Sequence, residues 1–141
     1  MKYLILICIM TLSSTANSQN SANLQEKTAV ESTLQDYIEG WYKGDAARMD
    51  RSLHDDLIKR IPIKDSANIA MQLRMVPKSR MVELTQKGGG ENPDGEYQIF
   101  VDDIQMDIAT ARVLSLEYLD YLHLVKTTEG WKIVNILFRS R

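Results

Sequence analysis

A handful of residues carry the polar and ionisable groups that chemistry could use. Tyr37 and Trp41 stand four apart, so on a helix they share one face, one turn from each other. His54 is followed by two acids, Asp55 and Asp56, and Arg60 lies six residues on. Asp120, His123 and Asn135 are set among Tyr, Leu, Val and Ile near the C-terminus. A tyrosine and an indole on one helix face suit a flat, partly polar ligand, which stacks on Trp41 while Tyr37 and Asp120 or Asn135 hydrogen-bond its edge. Arg60 is either a clamp for such a ligand or the partner of a structural carboxylate. His54 either takes part or braces a turn. An acid–histidine pair of Asp120 and His123 meets a parity problem. Along a regular strand, Asp120, Leu122 and Leu124 face one way and Tyr121, His123 and Val125 the other. If Asp120 points inward it must be paired or protonated, because an isolated buried carboxylate is too costly.

Other chemistries find no support. Two histidines in distant segments have no metal-ligand spacing, so no metal or cofactor is expected. Gly88-Gly89-Gly90 is followed by no lysine–serine pair and opens no helix, so it reads as an exposed loop and not a phosphate cradle. Positive charges are scattered, and the formal charge is −2, which argues against nucleic acid and against an anionic membrane as main partner.

Residues 1–18 read as a cleaved signal peptide: Lys2, a short apolar run to Met10, then Ala16 and Ser18 before a cut that makes Gln19 the first residue. Residues 19–141 then form one domain, exported to a periplasmic or extracellular space and free of the only cysteine, Cys8. A helix is expected over 20–43, capped by Asn23 with Glu26 answering as a capping box and closed by Gly44. Asp45 caps a second helix over 46–52. Residues 57–63 and 68–76 read as extended, with Pro62 marking an edge or the end of pairing. Pro77 opens a helix to about 87. From Tyr97 onward four strand-length segments with short turns predict an antiparallel meander, 97–107, 109–118, 119–126 and 131–139. The class is α+β.

The segments Tyr37-Ile38-Glu39-Gly40-Trp41-Tyr42-Lys43-Gly44-Asp45, Leu53-His54-Asp55-Asp56-Leu57-Ile58-Lys59-Arg60 and Asp120-Tyr121-Leu122-His123-Leu124-Val125-Lys126, with Trp131-Lys132-Ile133-Val134-Asn135, resemble the nuclear transport factor 2-like (NTF2-like) superfamily. More narrowly they resemble its putative lumazine-binding branch, with a more distant similarity to ketosteroid-isomerase-like and SnoaL-like proteins. The resemblance implies a cone-shaped fold, two to three N-terminal helices packed on the concave face of a curved antiparallel sheet. It also implies homodimers through the sheet, whose outer face is expected to carry Val134, Ile136 and Phe138. Ketosteroid-isomerase-like relatives pair a helix tyrosine with a protonated aspartic acid as oxyanion donors, positions matched here by Tyr37 and Asp120. Their general base would fall near Arg60 or Ile61, neither of which can accept a proton there. No catalytic residue is therefore assigned. The leading expectation is an exported domain that binds a small planar ligand or acts as a scaffold, with Tyr37, Trp41, His54, Arg60, Asp120 and Asn135 as candidate ligand contacts. A cavity enzyme of isomerase or dehydratase type, and an interaction module with a filled cavity, stay open.

Overall fold

The computed structural model describes residues 10–64, 71–90, 92 and 94–141. The first nine residues of the expected signal segment, and residues 68–70 of the second extended segment, lie outside these. Among the described residues three helices pack on one six-stranded sheet: α1 (Met10–Lys43), α2 (Ala46–Ser52), β1 (Leu53–Lys64), β2 (Met71–Pro77), α3 (Lys78–Gln86), β3 (Tyr97–Gln105), β4 (Ile108–Ser115), β5 (Tyr118–Thr127) and β6 (Gly130–Ser140). No described helix is long and apolar enough to cross a membrane.

α1 buries Val30, Leu34, Tyr37 and Ile38 against the sheet, the recurrence that makes one stripe at 3.6 residues per turn. It starts earlier than the sequence suggested. The segment before Asn20 holds neither proline nor glycine, so nothing stops the helix there and Asn23 is an interior position. The capping box accordingly does not form: Glu26 instead accepts from Trp131 Nε1 (2.9 Å) and Lys126 Nζ (2.6 Å) across on the sheet. At the other end Gly44 takes a φ of +65°, and Asp45 accepts from the backbone N–H of Ala47 (3.1 Å) and Arg48 (3.0 Å). This tight step turns α2 back on α1, where Asp36 binds Arg48 (2.8 Å) and Arg51 (2.6 Å).

The strand order is β2-β1-β6-β5-β4-β3. The meander β3 to β6 is antiparallel as expected, but the sheet as a whole is mixed, because β1 lies parallel to β6. The fold is α+β as expected, with this parallel pair next to the β2 edge strand. Pro62 ends pairing on one side only: β1 contacts β6 as far as Arg60, while Pro62 still faces Leu73 of β2.

One local irregularity changes which residues face inward. β5 keeps strict alternation, with Asp120, Leu122 and Leu124 buried and Tyr121 and His123 exposed. In β6 the register slips between the pairs His123–Asn135 and Leu124–Ile133, leaving Val134 as an extra residue. The bulge corrects the expected outer face: Ile136 is fully buried and Phe138 turns inward, while Val134, Asn135 and Leu137 lie outward. The triple glycine also differs from expectation. It is half-buried against α1, with Gly90 N–H donating to the Trp41 carbonyl (3.0 Å), and a Cβ on Gly90 would stand 2.6 Å from Trp41 Nε1. The glycines permit a close approach to an indole; they do not form a free loop.

Candidate functional site

Three elements converge on one buried polar cluster. Tyr37 comes from the inward stripe of α1. Lys59 comes from β1, where Leu57, Lys59 and Ile61 alternate with Ile58 and Arg60. Asp120 comes from the inward row of β5. Tyr37 and Asp120 are each 2 % exposed and Lys59 is 7 % exposed. Tyr37 Oη donates to Asp120 Oδ2 (3.0 Å), and Lys59 Nζ donates to Tyr37 Oη (2.9 Å). Lys59 Nζ also stands 3.3 Å from Asp120 Oδ1, close enough for an ion pair but out of hydrogen-bond alignment, so Oδ1 is a buried acceptor with no donor. The ammonium lies 4.2 Å from the Phe138 ring centre, within cation–π range.

The electrostatics follow from burial. Loss of water lowers the pKa of Lys59, and the charge of Asp120 opposes that shift. Burial also raises Tyr37 well above its usual value, and the neighbouring Asp120 charge adds to it. Tyr37 therefore stays a phenol across the physiological range, with its proton committed to Asp120. In the oxyanion-hole arrangement implied by the ketosteroid-isomerase likeness, tyrosine and a protonated aspartic acid both donate to substrate. Here the tyrosine donates to Asp120 itself, and Lys59 stands beside that side chain, so neither group is aimed at a substrate as a second donor. The cluster presents an acceptor, Asp120 Oδ1, and a cation, Lys59.

A cavity of about 460 Å³ opens beside the cluster. Ile38, Ile61, Val76, Met81, Leu84 and Phe138 form most of its apolar wall, with Trp41 at its side and Arg74 and Arg80 at its exposed rim. The size and the mostly apolar lining with a few convergent polar groups are those of small-molecule sites. A larger groove, about 700 Å³, lies on the opposite face of the sheet among His54, Asp56, Ile108, His123, Val125 and Val134. The larger void is the weaker candidate. Its polar side chains are exposed or half-exposed and need no ligand, whereas the inner cavity holds buried polar atoms.

The six candidates from the sequence thus divide between two faces. Tyr37, Trp41 and Asp120 line the inner cavity. Arg60 and Asn135 are bonded to each other on the outer face, and Asn135 Nδ2 is 3.3 Å from His123 Nδ1. His54 lines the outer groove, its Nδ1 accepting from the Asp56 N–H (3.1 Å), as a residue bracing a turn would. These three correct the expectation of one shared site: Arg60 is one residue from the inward parity, and the bulge at Val134 leaves Asn135 facing out. Asp120 and His123 are likewise on opposite faces, as their spacing required. Lys59 was missed. The signal was present: Leu57 and Ile61 are the apolar positions of β1, so the residue midway between them shares their face. Among the described residues no group of three histidine, cysteine or acidic side chains is placed to hold a metal.

A family model described as putative lumazine-binding matches residues 25–139. The chain belongs to that family. Solved structures agree on the fold. An NTF2-like protein of unknown function from Silicibacter pomeroyi is similar at a TM-score of 0.68, with 17% identity over 86% of this chain and 98% of its own. Another, from Shewanella baltica, gives 0.67 with 21% identity over 84% and 95%. A ketosteroid isomerase-like protein from Erwinia carotovora gives 0.57 with 17% identity over 80% and 94%. At these identities the likeness establishes the fold alone. No curated protein matches the chain.

Proposed function

We propose that this member of the putative lumazine-binding family is a small-molecule-binding domain whose planar ligand occupies the inner cavity, without being turned over there. The observation that carries this reading is Asp120 Oδ1, a buried carboxylate oxygen without a hydrogen-bond donor, beside an apolar cavity of about 460 Å³. Lys59 Nζ, 3.3 Å away, offsets the charge on this oxygen without giving it an aligned hydrogen bond, and an N–H or O–H on a ligand's edge supplies one. Trp41 and Phe138 offer rings against which a flat body packs. Absence of turnover is supported by the committed state of the cluster. The Tyr37 proton is used by Asp120, and Lys59 donates to Tyr37 and is ion-paired with Asp120, so neither Tyr37 nor Lys59 delivers a proton without first breaking a buried interaction.

A thermal-shift screen of flavin precursors, pterins and phenols on wild type and Ile61→Trp tests this. Ile61 lines the cavity and has no polar side-chain atom to bond with the cluster, and an indole there fills the space. Ligands are expected to raise the melting temperature of wild type and not of the variant. A shift that survives in Ile61→Trp would move the site elsewhere, the outer groove first, and a complete screen without any shift would remove the reading.

The same proposal includes export and self-association. Lys2, the apolar run to Met10 and the Ala16/Ser18 pattern support a mature chain beginning near Gln19, which N-terminal sequencing from the native cell decides. Phe100, Tyr121 and Leu137 are exposed and lie in one row across β3, β5 and β6, with Arg112 between the first two. That row supports a homodimer through the outer sheet face. A monomer mass by light scattering at micromolar concentration would rule it out.

A further inference from the structure

The charges of the inner cavity are placed at two ends. At the deep end is the acceptor Asp120 Oδ1. At the rim is Arg74, which pairs with Ile61 in the β1–β2 register just as Val76 pairs with Lys59. Residues directly opposite in a ladder share a face, so Arg74 lies on the cavity side, two residues along from Lys59. With a rise of about 3.3 Å per residue and strands about 4.8 Å apart, the two Cα atoms stand about 8 Å from each other. Arg80 shares the rim, but its guanidinium is held by Glu83 at 2.6 Å. The Arg74 side chain has neither a hydrogen bond nor an ion pair among the described residues. Between the two ends the wall is apolar: Ile38, Val76, Met81, Leu84 and Phe138.

We infer that the natural ligand is an aromatic or alicyclic carboxylic acid carrying a hydroxyl or N–H at its far end. Its acid group pairs with Arg74, its ring body lies on the apolar wall, and its distal donor satisfies Asp120 Oδ1. This rests on the reading that the cavity binds a ligand, and adds the ligand's chemistry. A guanidinium suits a carboxylate because two parallel N–H donors match its two oxygens. The polarity is also fixed in direction. At the deep end Lys59 is already paired with Asp120, so a carboxylate there would compete with Asp120 for the same ammonium, while a neutral donor meets an acceptor that lacks one and the rim guanidinium has no acid of its own. The competing account of Arg74 needs no ligand. β2 is an edge strand, and an inward-pointing charge on an edge discourages pairing with other chains.

Calorimetric titration with four related probes separates the two accounts: 6-hydroxy-2-naphthoate, its methyl ester, 2-naphthoate and 2-naphthol, each on wild type and Arg74→Gln. The hydroxy acid is expected to bind wild type most tightly. Esterification is expected to weaken it about fivefold or more in wild type, and to make no difference in Arg74→Gln, since the exposed guanidinium is the group that reads the charge. Loss of the hydroxyl is expected to weaken binding by a similar factor in both proteins. Equal binding of acid and ester to wild type, or equal loss of both in Arg74→Gln, would overturn the inference and leave Arg74 as an edge guard. The cavity reading would stand in that case if 2-naphthol still binds. Binding of none of the four overturns this ligand class, and the Ile61→Trp screen then decides the cavity reading by itself.

Discussion

Asp120→Asn probes the buried cluster most directly. The substitution keeps the shape and leaves an oxygen to accept the Tyr37 proton, so what it removes is charge. Lys59 Nζ, 3.3 Å from Asp120 Oδ1, then has no counter-ion in an almost waterless place. At an effective dielectric of about 20, a pair at that distance is worth about 5 kcal/mol. The loss has a ceiling, since Lys59 can give up its proton. Neutralising a lysine whose ordinary pKa is about 10.4 costs about 1.36 kcal/mol for each unit down to pH 7, again about 5 kcal/mol in all. Both routes put the destabilisation at about 3–5 kcal/mol, the range found when one partner of a buried pair is removed. Urea unfolding followed by circular dichroism measures it, with the slope m unchanged if the unfolded state is unaffected. The sign with pH is fixed as well. In the variant, folded Lys59 is neutral while the unfolded chain still binds that proton. Stability must then rise by up to about 1.36 kcal/mol per pH unit toward pH 10, and the deficit against wild type shrinks. Lys59→Met combined with Asp120→Asn removes both charges and is expected to cost less than the two single changes together, by about 2 kcal/mol or more. A cost under about 1 kcal/mol for Asp120→Asn, together with simple additivity, would refute the reasoning. It would mean that water in the cavity already solvates Lys59.

Tyr37 has a pKa raised by burial, so the folded state holds its proton after the unfolded chain has released it. Stability should therefore fall as pH climbs above about 10, and Tyr37→Phe should remove that fall while costing about 1–3 kcal/mol at neutral pH through the lost bonds. Glu39 accepts from Lys43 (2.9 Å), Tyr97 (2.7 Å) and Gln35 (2.8 Å) and also binds Arg48, which together hold its pKa well below the usual range. Its contribution is present above the unfolded value near 4.3 and lost as pH falls below it, so acid unfolding of Glu39→Gln should begin from a stability lower by about 1 kcal/mol and slope less steeply. Gly89 combines a φ of +53° with a position where a Cβ would overlap the Trp41 carbonyl oxygen, so Gly89→Ala should cost more than about 2 kcal/mol and lower the melting temperature even though the loop touches no ligand.

Much of the architecture could be read from residue order. The stripe Val30, Leu34, Tyr37 and Ile38, the Gly44-Asp45 step and the alternation of Asp120, Leu122 and Leu124 are local signals, set by helix and strand periods and by the steric freedom of one glycine. These placed Tyr37 and Asp120 on facing elements and put His123 on the other side of its strand. Motif resemblance supplied the family, which the match over residues 25–139 bears out. The candidate site was legible only in part, because cross-chain register decides the rest. That β1 lies parallel to β6 depends on contacts between residues some eighty apart, and no local pattern announces it. The bulge at Val134 is a single unpaired residue, yet it sends Asn135 outward and Phe138 inward, reversing the parity that regular alternation assigns. Lys59 shows both sides of the division. Its position midway between Leu57 and Ile61 set its direction, but the free energy of holding an ammonium there depends on Tyr37, Asp120 and Phe138, which only the folded chain brings within reach. Periodicity determines which way a side chain points; tertiary packing determines what it meets, and for buried charge the partner at 3 Å outweighs everything the strand itself can specify.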